Sequence, residues 1–109
     1  MKQIKAFIHP HRINAVTETL RDSGFCDISN GSGCYNITVS NVQLLFTSAE
    51  PNQQRYSVEL AEPVIAEIKL ELICDDPLAD QLVALIKQAG KPGVGWIFIS
   101  DIQSAAKIG

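Results

Sequence analysis

The sequence predicts an α+β domain with elements in the order βαββαβ, an antiparallel sheet carrying two helices on one face. Three observations predict it. Several stretches alternate apolar and polar residues with the period of a strand, and the stretches between them space apolar residues with the period of a helix. A length of 109 residues suits one domain, 1–109, with one core that buries about two-thirds of the surface the unfolded chain exposes.

The first strand is Lys2 to Ile8, where Ile4, Ala6 and Ile8 lie on one side and Gln3, Lys5 and Phe7 on the other. After His9 and Pro10, the positions Ile13, Val16 and Leu20 follow helical spacing through Ser23. Gly24 then stands where a helix C-terminus takes a left-handed residue. "YNITVSNVQLLF" is rich in β-branched and aromatic residues and reads as a strand. "RYSVELAEPVIAEIKLELIC" reads as another long strand, with Ile68, Leu70 and Leu72 alternating against Glu67, Lys69 and Glu71. Between these strands "TSAEPNQQ" holds no core-forming residue and reads as an exposed turn or flexible loop. "DDPLADQLVALIKQAG" opens on acidic residues, carries Pro77 near its first turn, places Leu78, Leu82, Leu85 and Ile86 on one face and ends near Gly90, as a second helix would. "GWIFISDI" supplies the last strand, and "QSAAKIG" is too short to assign. This order is the split βαβ, ferredoxin-like arrangement.

Charge and motifs exclude several function classes. Lys plus Arg number 9 against 12 for Asp plus Glu, a net charge of -3 with no five-residue basic run, so no nucleic-acid partner is expected. "MKQIKAFIHP" has too short and too charged an apolar run for a signal peptide. No segment approaches the roughly 20 apolar residues that span a bilayer, so a cytoplasmic protein without membrane insertion is expected. Cys26, Cys34 and Cys74 form an odd set without C-x-x-C spacing. That set suits free thiols in a reducing compartment better than a disulfide framework, although "CDISNGSGC" puts two of them at the ends of a small glycine-rich loop. His9 and His11 in "HPH" lack standard metal-ligand spacing, and Asp75 and Asp76 read as helix N-terminal charge. No catalytic motif is present, and a non-enzymatic protein is expected.

"AGKPGVGWIFIS" sets three glycines around one lysine and runs into a strand. In a Walker-type loop the glycines follow a strand and open a helix; here the order is reversed, so this is no P-loop. Two readings stay open: a tight corner, or a loop whose backbone N–H groups approach a ligand's phosphates.

"MKQIKAFIHPHRINAVTETLRDSGF", "ITVSNVQ", "IKLELICDDPLADQLVALIK" and "GKPGVGWIFISDI" together resemble the nitrogen regulatory P-II proteins over most of the chain. The resemblance implies a homotrimer. It also implies adenine nucleotides in clefts between subunits, walled by Gly90, Lys91, Gly93 and Gly95, and a mobile segment that docks onto a target such as a transporter or an enzyme. The docking segment corresponds to Thr47, Ser48, Ala49, Glu50, Pro51, Asn52, Gln53 and Gln54. Val94 and Trp96 stand where the family has an acidic residue and a lysine, Glu67 replaces a base, His9 replaces a lysine, and Lys107 is the counterpart left for the family's C-terminal arginines. Such losses of positive charge favour AMP or ADP over ATP as ligand, with no cofactor required. A histidine near the cleft could make binding pH-sensitive, since an imidazole titrates near 6.5 when unperturbed. Tyr56, in the region where some family members carry a modified tyrosine, reads as a strand residue. The trimer also has a physical motive: one sheet face, carrying Leu70, Leu72 and Ile97 or their alternating neighbours, lacks helices and needs cover. The alternative reading is a trimer resembling the CutA proteins, structural or metal-handling and without nucleotide, in which Cys26, Cys34, His9 and His11 matter.

Overall fold

The computed structural model describes residues 1–26, 33–45 and 54–109. Its elements are β1 (Lys2–Ile8), α1 (Ile13–Asp22), β2 (Cys34–Leu44), β3 (Gln54–Ser57), β4 (Glu62–Cys74), α2 (Ala79–Gly90) and β5 (Trp96–Asp101), with single 3-10 turns leading into both helices. The antiparallel sheet runs β2-β4-β1-β5, and β3 pairs with the early part of β4. This is the ferredoxin-like α+β fold that the apolar periodicities predict, with one short strand added.

Register explains which face is buried. Ile4 pairs with Leu72 and Ile99, and Ala6 with Leu70 and Ile97. All of these point to one side, because side chains on paired residues share a face. There Ile4, Ala6, Leu70, Leu72 and Ile97 meet Val16 and Leu20 of α1 and Leu82 and Ile86 of α2 in one cluster, while Ile99 stays 47% exposed. Each fully buried Leu or Ile contributes about 1.5–3 kcal/mol, so this single layer holds both helices to the sheet. Leu70, Leu72 and Ile97 therefore belong to the helix side, and it is their alternating neighbours that form the open face. That face is polar at its centre, where Lys69 pairs with Glu71 at 3.0 Å and Gln3 Nε2 donates to Glu71 Oε2 at 3.1 Å. At one end it is aromatic: Phe98 stacks with Trp96 and meets Phe7 edge-on, each at 6.1 Å.

Two expectations are corrected. "RYSVELAEPVIAEIKLELIC" is not one strand, because a turn interrupts it before β4 begins at Glu62. There the Ala61 N–H bonds back to the Ser57 carbonyl at 2.8 Å and Ala61 takes a left-handed φ of 56°. The apolar residues Val58 and Leu60 carried the strand pattern through this turn, yet both are exposed. Nor are the cysteines all free: Cys26 and Cys34 form a disulfide with Cα atoms 4.6 Å apart, and Cys74 alone is a buried thiol. The hydrogen bond from Cys34 N–H to the Phe25 carbonyl brings the end of the α1 turn against the start of β2, a proximity that sequence spacing cannot reveal. Gly24 does take the positive φ expected of it, 78°.

Candidate functional site

The glycine loop lies where α2 ends and β5 begins, beside the β1–α1 corner. Arg12 anchors it from below, donating Nε and Nη2 to the Ala89 carbonyl at 3.2 and 2.9 Å. A guanidinium here offsets the partial negative charge of the helix C-terminus. Gly93 N–H then closes back on the Gly90 carbonyl at 2.9 Å, and the Lys91–Pro92 peptide is cis. A Cβ on Gly95 would overlap the Phe7 carbonyl, and one on Gly93 would press on the Gly90 carbonyl and on His9. Close packing of the chain on itself thus demands these two glycines, which is the corner reading in physical form.

The same corner walls a cavity of about 540 Å³. Gly90, Lys91, Gly93 and Gly95 all line it, so the four loop residues that sequence singled out are brought together. Phe7, Ile8, Val83, Ile86, Trp96 and Ile97 make an apolar wall, and its ionisable groups are His9, Lys87 and Lys91, with no carboxylate among them. Such a site suits a flat apolar group attached to an anion. Trp96 is 71% exposed and, among the described residues, stacks only with Phe98, which leaves indole surface for a ring or a neighbouring chain. Lys107 is not part of this lining; it stands exposed in the tail after β5.

Sequence reasoning missed Lys87 and Arg12. Lys87 follows the buried Ile86 and read only as part of an amphipathic helix; its place beside the loop becomes visible when α2 is docked. His9 Nδ1 accepts the His11 backbone N–H at 3.1 Å while the two rings stack 5.1 Å apart. One nitrogen of His9 is therefore engaged by its own chain. Among the described residues no group of three His, Cys, Asp or Glu side chains could hold a metal ion. Asp76 sits in the turn before α2, as expected of helix N-terminal charge, and pairs with the N-terminal amine, which holds its carboxyl below the usual value.

Glu67 lies apart from this cavity. It is only 8% exposed, and its Oε2 is buried without a hydrogen-bond partner among the described residues. Burial pushes its pKa up. It borders a second cavity of about 700 Å³ together with Arg55, Glu59, Asn41 and Gln43. Of the proposed docking segment, residues 47–53 lie outside the described residues, and Gln54 is the first residue of β3. Tyr56 is a strand residue, exposed on β3.

Comparison with known proteins gives a consistent picture. A family model described as Nitrogen regulatory protein P-II matches residues 1–108. The Nitrogen regulatory protein P-II of Haemophilus influenzae is 30% identical over 111 residues, covering 99% of this chain and 91% of that protein. Its namesake from Pyropia yezoensis is 32% identical over 112 residues and that from Rhodospirillum rubrum 27% over 111, each with the same coverage of both chains. No helix among the described residues is long and apolar enough to cross a membrane.

Proposed function

The chain belongs to the nitrogen regulatory protein P-II family, and on that premise we propose that it is a regulatory homotrimer whose glycine-loop cavity takes AMP or ADP in preference to ATP. The observation that carries this reading is the convergence of Gly90, Lys91, Gly93 and Gly95 with Lys87 and an aromatic wall around one cavity. An adenine ring would lie against Phe7 or Trp96, and the lysines would meet the phosphates. Two ammonium groups match one or two phosphates better than three. Trp96 and Glu67 add nothing to offset a γ-phosphate, and Lys107 lies outside the lining.

Assembly has its own support. The aromatic end of the open sheet face leaves Trp96 71% and Phe98 53% exposed, an apolar surface of the kind that other chains cover. Three such sheets facing inward would bury it and bring each cavity against a neighbouring subunit. Regulation would then work by ligand-dependent placement of the segment Thr47–Gln54 toward a target protein, since a ligand shifts a conformational equilibrium by its differential affinity for the two states.

Light scattering across dilution tests the assembly: a trimer mass is expected, and a monomer mass at every concentration would overturn it. Metal analysis of protein purified without chelator bears on the CutA-like alternative, structural or metal-handling: stoichiometric copper or zinc would favour it.

A further inference from the structure

The disulfide joins Cys26 to Cys34, but a second cysteine stands opposite Cys34 across the sheet. In the β2–β4 ladder Cys34 is the register partner of Cys74. The Asp75 N–H donates to the Gly33 carbonyl at 3.1 Å, which makes the adjoining pair of residues the hydrogen-bonded one. Pairs alternate along an antiparallel ladder, so Cys34 and Cys74 occupy a non-hydrogen-bonded position, with Cα atoms about 4.5 Å apart and side chains close. The Cys34 N–H confirms this by pointing away from β4, to the Phe25 carbonyl at 3.2 Å. A spacing of about 4.5 Å lies within the range disulfides span. Cys34 and Cys74 are both buried in the helix-side cluster, and Cys26 packs against that cluster.

We propose that Cys26, Cys34 and Cys74 form one thiol–disulfide exchange unit in which Cys34 is the shared sulfur and Cys26 is the site open to modification by an external thiol or alkylating agent. In the exchange, the Cys74 thiolate attacks Cys34 Sγ. The Cys34–Cys74 bond forms as the Cys26–Cys34 bond breaks, and the electron pair leaves on Cys26, which takes up the proton that Cys74 gave up. No electrons are gained or lost overall, and no oxidant is needed. The product carries its disulfide inside the sheet and a free thiol at Cys26, on a half-buried turn that solvent reaches.

The surroundings of Cys74 set the rate. Burial, with Asp75 and Asp76 adding to it, raises the thiol's pKa, against a smaller opposing pull from the Met1 amine and from Lys2, its register partner on β1. Exchange proceeds through the thiolate, so the Cys26–Cys34 pairing persists near neutral pH and exchange speeds up as pH rises. Oxidised full-length protein treated with iodoacetamide, without reductant, at pH 7 and pH 9 and then mapped by peptide mass spectrometry tests the step. The expected product is alkylated Cys26 with a Cys34–Cys74 linkage, formed faster at pH 9. Cys74→Ser, checked for native circular dichroism, should leave Cys26 unlabelled. Cys26→Ser, on the surface turn, should form the Cys34–Cys74 disulfide with oxidised glutathione. Label confined to Cys74 with Cys26–Cys34 intact, no label at either pH, or a Cys26→Ser variant that keeps two free thiols would each overturn the proposal.

Discussion

Strand β1 joins a closed end, around Lys2, to an open end, around Phe7, about 17 Å away. At the Lys2 end charged groups serve the chain itself: Lys2 pairs with Asp101, the N-terminal amine with Asp76, and three cysteines gather where β2 meets β4. At the Phe7 end, among the described residues, neither Lys87 nor Lys91 forms an ion pair, and both border a cavity with an apolar wall. The difference teaches that one short strand separates an end whose charges are paired from an end whose lysines border an apolar cavity without an ion pair among the described residues.

The largest expected effect tests whether the open end is itself structurally tight. Gly95→Ala places a Cβ on the Phe7 backbone carbonyl, which has no flexible side chain to move aside. It should destabilise the protein by about 3 kcal/mol, the upper end of overpacking costs, in urea unfolding. Any Gly95 variant meant to probe ligand contact therefore probes the β1–β5 pairing first; Lys87 and Lys91 are the better targets. At the closed end, reducing Cys26–Cys34 with dithiothreitol should lower stability by about 2–3 kcal/mol, as expected for a short closed loop, and the same titration would show it.

The next prediction concerns Glu67. Its pKa is raised in the folded state, so the native protein holds the proton more tightly than the unfolded chain does. The cost of the buried carboxylate is absent below the unfolded pKa and complete above the folded one. Stability should fall as pH rises through that window. Arg55 and Glu59, which border the same cavity, remain in place in Glu67→Gln. That variant should remove the slope and be more stable than wild type at pH 7, because a neutral amide replaces a carboxylate whose charged form burial disfavours. Chemical unfolding at several pH values checks both. The smallest effect is Gly90→Ala: nothing lies within 4 Å of a Cβ there, and a helical alanine should add about 0.5 kcal/mol. Opposite signs at Gly90 and Gly95 would show that one loop holds both a replaceable and an irreplaceable glycine.

Much of the fold was legible because its signals are local. Ile4, Ala6 and Ile8, or Leu82 and Ile86, carry the periodicity of their elements whatever they pack against, and all are buried. The turn after β3 was hidden because Val58 and Leu60 continue the apolar pattern while facing solvent. The four loop residues of the candidate site were legible as a motif, whereas Lys87 and Arg12 enter through docking of α2 and the β1–α1 corner, a non-local event. The cysteines failed for the same reason: the register that sets Cys34 opposite Cys74 and the contact that joins it to Cys26 arise only when β2 settles between distant segments.

Calorimetric titration with AMP, ADP and ATP, on wild-type protein and on a Lys87→Ala/Lys91→Ala variant, tests the central claim most directly. The account predicts binding of AMP or ADP about tenfold tighter than ATP, the worth of one missing charge-assisted contact of about 1.5 kcal/mol, and loss of that binding in the double variant. ATP binding more tightly than AMP and ADP, or no heat from any of the three nucleotides, would contradict it.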